Sequence, residues 1–376
     1  MRLVWGVCTQ IVKEEEHLQQ VLVTSKNKLG ALQVRPALSY TELIGRLVLG
    51  QGVLINTNAC DLELGTGGYD LVLAKAPSFE TDSPYQIMFE TEPEGSMMKL
   101  RYTPLQKEVK SIECEESEFY DCLKEKDSLH GMPVVCCELH SQIFAVAQAI
   151  KSKRPGARIC YIMTDQASLL APFSENLRIA KESGLIDISI TTGQAYGGDY
   201  EAITLHSALL AAKYALAADI CLVGIGPGIV GTNTLFGHGG IAQGEAINAV
   251  ASLQGRPIAC LRISGADSRS RHRGISHHSL TTLTKIALEP AYVALPKSLI
   301  ASGVKDESLQ SLVQSQLVNN NIYQKHHCQL VDDECAINDF GLHVRSMGRA
   351  FEDDPFFFTS AYVAGFLALD LLDVPF

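Results

Sequence analysis

The chain has one tryptophan in 376 residues and contains no Cys-x-x-Cys pair. Nor does it hold an uncharged apolar run of the ~18–20 residues that a bilayer span needs. Each absence removes a class. Without Cys-x-x-Cys spacing, zinc-ribbon and thioredoxin readings lose their support. Eleven cysteines are present, but Cys136, Cys137, Cys160, Cys221 and Cys260 fall in or beside apolar runs, where cysteine serves as a small buried hydrophobe. The start, "MRLVWGVCTQIVKEEEHLQQ", has no long apolar segment and soon turns acidic, unlike a signal peptide. A reduced, soluble, cytoplasmic protein with no membrane partner is expected. Positive charge is also scarce, with 31 basic against 42 acidic residues for a net charge of −11, which argues against nucleic acid as a partner. No Gly-x-Ser-x-Gly elbow occurs, and no cysteine stands in a reactive loop beside histidine, so covalent catalysis is not indicated.

What is present divides into two textures, and 46% hydrophobic residues supply a sizeable core. Residues 1–105 hold short β-prone segments ("MRLVWGVC", "HLQQVLVT", "NKLGALQV", "GVLINTN", "YDLVLAKA") separated by turn residues, the pattern of a small all-β barrel or sandwich. Gly65, Gly67 and Gly68 read as tight turns. Residues 106–130 are charged and read as a connection with room for a short helix. From 131 to 376, apolar strands alternate with helical segments: "PVVCCEL", "RICYIMTD", "DISITTG", "DICLVGIG", "RPIACLRIS" and "AYVALP". Strands apolar throughout belong to a parallel sheet buried on both faces, and right-handed crossovers make it a Rossmann-like α/β domain with helices on both faces. About six such units fall short of a closed eightfold barrel. The tail "PFFFTSAYVAGFLALDLL" reads as a core helix entered after Pro355.

Ligands in such sheets bind beyond the carboxyl ends of the strands. The residues leaving these strands are polar and titratable: Glu138 and His140; Thr164, Asp165 and Gln166; Thr191, Thr192 and Gln194 followed by Asp199 and Glu201; then Arg262. The opposite turns, such as "KRPGAR", look like ordinary connections. The fourth strand opens into "GIGPGIVGTNTLFGHGG", where Gly226, Gly228, Gly231 and Thr232 are candidates to cradle an anion on backbone N–H groups. A purely structural excursion is the other reading. The spacing matches neither a P-loop nor a dinucleotide fingerprint, so no cofactor is singled out.

The fifth strand runs into "RISGADSRSRHRGISHHS", four arginines and three histidines within eighteen residues. Arg262, at the strand end, is placed to clamp a carboxylate or phosphate bidentately, with Arg271 as a second ligand-binding candidate. A solvated basic loop and pairing with Asp267 are the structural readings. His272 and His277 are candidate acid–base groups, partnered by Asp165 or Asp199. Adjacent His277 and His278 cannot share one helical face, and Ser276 or Ser279 could cap a following helix. A metal site using His272, His277 and His278 with Asp165, Glu138 or His140 is a further reading, but no spacing demands one.

"GTGGYDLVLA", "TTGQAYGGDYEAITLHSALLAAK", "VGIGPGIVGTNTLFGHGG", "RISGADSRSRHRGISHHSL" and "SMGRAFEDDPFFF" together resemble a bacterial family of unknown function, DUF3866, over nearly the whole chain. The resemblance implies a bacterial source and one full-length architecture. It brings no activity and no catalytic residue. By itself, "SMGRAFEDDP" reads as a solvated turn.

Two functions fit these residues. One is an enzyme that holds a small anionic, in some cases phosphorylated, metabolite in a cleft at the strand ends. The other is a non-catalytic metabolite sensor or protein-interaction module using the same cleft. A homo-oligomer is compatible with both.

Overall fold

A computed structural model describes residues 3–26, 31–61, 68–76, 95–100, 107–300, 307–333 and 345–376. They form two compact units, residues 1–94 with 100–108 and residues 95–99 with 109–376.

The first unit is a closed five-stranded barrel. Its strands are β1 (Leu3–Glu14), β2 (Leu18–Lys26), β3 (Leu32–Tyr40), β4 (Gly52–Asn56) and β5 (Asp70–Lys75), in the order β1-β2-β3-β5-β4. Alternation decides what faces inward. In "GVLIN" Val53 and Ile55 are fully buried, and they meet Cys8, Val21, Val23, Ala37, Leu47 and Val72. Gly6 permits closure, since a Cβ there would lie 2.5 Å from Val23 Cγ1 and 2.7 Å from the Thr24 carbonyl. Arg35 ties β3 to β5 through both oxygens of Asp70 and also reaches Asp61 at 3.0 Å. Of the three glycines expected in turns, Gly68 sits at φ +86°; Gly65 and Gly67 lie outside the described residues.

The second unit is built on eight parallel strands: β6 (Pro133–Cys137), β7 (Ile159–Thr164), β8 (Ile188–Thr192), β9 (Tyr200–Ala202), β10 (Ile220–Ile225), β11 (Arg256–Cys260), β12 (Tyr292–Pro296) and β13 (His327–Val331). They lie in the order β9-β8-β7-β10-β6-β11-β12-β13. The six expected strands are joined by two at the edges. β9 lies between a turn and a helix and is three residues long. β13 is polar and largely exposed, because an edge strand has little core to face.

Side chains alternate between two cores, as the strand period requires. Val135 and Cys137 enter the one that holds α1 (Gln142–Lys153), α2 (Glu175–Glu182) and the long helix Pro355–Leu372. Val134 and Cys136 enter the other, with α3 (Leu205–Tyr214), α4 (Ile241–Ser252), α5 (His277–Thr281), its π-helical extension Thr282–Ile286, and α6 (Glu307–Asn319). The long helix, α7, begins at Pro355 as expected. It is the one described helix long and apolar enough to cross a bilayer, but 78% of its apolar window is buried inside this unit. It presses on α1 so closely that a Cβ on Gly365 would stand 2.5 Å from the Val146 carbonyl oxygen. Residues 109–130 contribute Ile112, Leu123 and Leu129 to the second core.

Candidate functional site

Strand β6 leaves the sheet toward α1 on one face, whereas both its neighbours, β10 and β11, leave toward α4 and α5 on the other. The chain therefore divides around the carboxyl end of β6, and a crevice at such a crossover is where open α/β sheets bind ligands. As the strands part there, the buried Gln243 amide bridges the carbonyls of Cys136 and Cys260, at 2.8 Å each. The first side chain beyond β6 is Glu138, with its carboxylate fully buried.

Histidines gather around that carboxylate. His278 Nδ1 stands 3.4 Å from Glu138 Oε1 but makes no hydrogen bond to it, and Ser279 Oγ donates to Oε2. The His238 ring stacks on His278 with centroids 3.8 Å apart and planes at 8°. His277 and His272 approach the same ring at 4.3 and 4.9 Å. Local sequence explains the convergence. Ser276 caps α5 by accepting from the His278 backbone N–H at 3.2 Å, and the same hydroxyl meets His272 Nδ1 at 2.9 Å. His277 and His278 thus occupy the first turn of a helix, where adjacent rings can both reach the crevice. Glycines make room for them: a Cβ at 240 would lie 3.0 Å from His238 Nδ1, and one at 231 would lie 3.3 Å from His278 Cε1.

The environment favours neutral rings at His272, His277 and His238. Burial, with help from the Arg262 and Arg269 charges, pushes His272 down to about 3. Burial and the neighbouring His278 and His238 push His277 down to about 4, and Arg271 contributes to that shift. His238 is lowered by burial and by His278. Burial alone would raise the Glu138 carboxyl; His278, the Arg262 charge and Ser279 outweigh it and hold it below its ordinary value. Several buried polar atoms have no hydrogen bond: Glu138 Oε1, His277 Nε2, His278 Nδ1 and both ring nitrogens of His238.

Arg262 is 2% exposed and lies between two acids, 3.8 Å from Glu138 and 3.3 Å from Asp267. Asp267 also accepts a two-pronged contact from Arg269, at 3.0 and 2.9 Å, and lies 3.4 Å from Arg349. Burial would raise Asp267, but Arg269 and Arg262 hold it well below the usual carboxylate range. The "SMGRAFEDDP" segment joins this network. Asp354, 1% exposed, accepts from Ser264 Oγ at 2.5 Å and from Arg349 Nε at 3.2 Å. It is a buried anchor, and its exposure could not be read from a turn-like string of charges.

The structure unites His272, His277, Arg262, Arg271 and Gly231 near Glu138 and leaves other candidates apart. Arg271 is exposed and close enough to act on His277. Asp165, at the end of β7, accepts from the Gln194 N–H at 2.8 Å and lines a separate cavity of about 230 Å³ with Thr192, His206 and Glu245. Asp199 holds Ser189 near the start of β8 through N–H and Oγ donors at 2.8 and 2.9 Å. Neither aspartate stands among the histidines. Gly226 fits against the Ser168 carbonyl, 2.5 Å from its would-be Cβ, and Gly228 takes a φ of +93°. Thr232 closes the exposed loop tip on Thr234 Oγ1, 2.8 Å, and the Gly237 carbonyl, 3.0 Å. Glu138 and His238 were the residues whose importance the sequence obscured; the signal for Glu138 was its place at a strand end.

No curated protein and no solved structure matches the chain. One family model, protein of unknown function DUF3866, matches residues 36–365. That stretch takes in every residue of the histidine crevice and, of the barrel, the end of β3 with β4 and β5. The chain is a member of the DUF3866 family.

Proposed function

We propose that the crevice at the end of β6 is the active site of an enzyme acting on a small anionic metabolite in the bacterial cytoplasm. The observation that carries this reading is the convergence of His238, His272, His277 and His278 on buried Glu138 at the sheet's crossover. Imidazoles whose protonation is disfavoured, as at His238, His272 and His277, can accept protons or donate lone pairs. Arg262 is already matched by Glu138 and Asp267, so attraction of the anion falls to exposed Arg271 at the mouth. The ten described cysteines are free, which supports a reducing compartment.

A thermal-shift panel of phosphate, sugar phosphates, nucleotides and dicarboxylates tests this reading, with Arg271→Ala in parallel. At ~100 times its Kd a ligand stabilises by ~2.7 kcal/mol, a shift of several degrees for a unit this size. The shift is expected in the native chain and lost in the variant. Silence from every anion would overturn the reading. Binding without turnover of the bound compound would instead support the sensor.

A further inference from the structure

We infer that His272, His277 and His278 form a binding site for one divalent transition-metal ion of the zinc type, with Glu138 orienting His278. Each of the three residues offers a ring nitrogen, and these atoms lie within 4.8 Å of one another. A tetrahedral ion with bonds of ~2.0–2.1 Å sets its ligand nitrogens roughly 3.4 Å apart. Rotations that move the rings by about an ångström close that distance. Three imidazoles with a fourth position left to water or substrate form a catalytic type of zinc set, and an all-nitrogen site selects against magnesium and calcium.

A second, independent observation is an orphaned polar atom. Buried nitrogens in folded proteins nearly always have partners, and an exception calls for an ion or water. Here His277 Nε2 is without a hydrogen bond, beside the rings of His272 and His278. A carboxylate facing one nitrogen of a metal-binding imidazole fixes the tautomer, so that the other nitrogen presents its lone pair. Glu138 stands in that relation to His278 Nδ1 at 3.4 Å. His238 lies outside the set, because a ring stacked parallel on His278 cannot aim its in-plane lone pair at the same ion. It covers the site instead.

This inference places a cofactor in the crevice of the proposed active site, and its test is independent of the anion. The full chain, stripped with a chelator and dialysed, is titrated with zinc chloride by calorimetry. Cobalt chloride is used separately for its visible d–d absorption. One equivalent of zinc and intense tetrahedral cobalt bands are expected, with no response to magnesium. His277→Ala and His278→Gln should each weaken zinc at least tenfold, with His17→Ala in the barrel as an unaffected control. Far-UV circular dichroism confirms that each variant folds. His277 is the most informative position, because it is the least buried of the three. Glu138→Gln should keep the cobalt bands while weakening zinc by ~10–100-fold; unchanged affinity in that variant overturns its orienting role. Absence of stoichiometric zinc, or affinity unmoved by both histidine variants, overturns the site itself. Zinc binding with no response to any anion would leave the metal site standing and sink the anionic substrate; anion binding without zinc would do the reverse.

Discussion

Arg262→Met puts the buried charge network to its most direct test. The guanidinium is 2% exposed and is shared between fully buried Glu138 and nearly buried Asp267. Methionine keeps the stem of the side chain as far as the position of Nε, so the dominant change is the loss of the charged guanidinium head. Asp267 keeps Arg269 and Arg349, whereas Glu138 keeps no permanent cation. Removing one partner of a buried pair costs about 3–5 kcal/mol, because the other charge stays desolvated. At about 2–4 °C per kcal/mol for a unit this large, the melting temperature should fall by on the order of 10 °C. The readout is calorimetry or far-UV circular dichroism, since the single tryptophan, Trp5, lies in the barrel and does not report on this unit. Glu138→Gln removes the charge that Arg262→Met strands. The double variant should therefore be less damaged than the sum of the single ones, by roughly 1–3 kcal/mol. Additivity within about 0.5 kcal/mol would refute the reasoning and reduce the 3.8 Å approach to mere proximity.

Three further outcomes are expected. His140 is fully enclosed between Tyr161 and Ser174, and burial pushes it down to about 4, opposed only in part by the Ile225 carbonyl. An unfolded histidine titrates near 6.5, so below that pH the unfolded chain takes up the proton first; stability is complete above about 6.5 and declines as the pH falls toward 4. At pH 5 the loss from this residue should be ~2 kcal/mol, seen as a shallower dependence of urea midpoints on pH in His140→Gln than in the native chain; identical slopes would contradict the assignment. Gly365→Val should cost about 1–3 kcal/mol by forcing α7 from the Val146 carbonyl, as overpacking does elsewhere, and a variant as stable as the native chain would mean that α1 and α7 separate freely. Among the described cysteines, exposed Cys122 should react first with a thiol reagent, and labelling of Cys136, Cys160, Cys221 or Cys260 should wait for global unfolding; mass spectrometry of the labelled peptides decides.

Much of this architecture was readable in the chain. Runs such as "VVCC" and "ICLVGI" announce strands buried on both faces, because no polar residue interrupts them, and the five β-prone segments before residue 105 correspond to the five strands of the barrel. β9 was harder to see: Tyr200–Ala202 runs almost directly into α3, and three residues are too few for periodicity to register. β13 was missed for the opposite reason, since "HCQLV" lies at an edge and carries the polarity of a surface. The candidate site was legible as a local concentration of arginine and histidine. Its geometry was not, because it depends on strand order. Glu138 gains its importance when β10 and β11 flank β6, and Arg262 loses its freedom to clamp a ligand when Glu138 and Asp267 close on it. Asp165 also ends a strand, yet it accepts from the Gln194 N–H beside a separate cavity beyond β7, and Asp199 accepts from Ser189 near the start of β8.

The place of β6 has a further consequence, for how the unit is made. It is the first strand of its sheet in the chain and one of the two central strands in the structure, with partners that begin only at Ile220 and Arg256. During synthesis, "VVCC" emerges with both edges unpaired and waits while three strands of the same sheet are completed. Exposed apolar edges of this kind recruit other chains, and long-range parallel pairing is slow to relieve them. The strand that positions Glu138 is thus the unit's greatest hazard on the ribosome, and a chaperone that holds extended apolar segments should find its main client here.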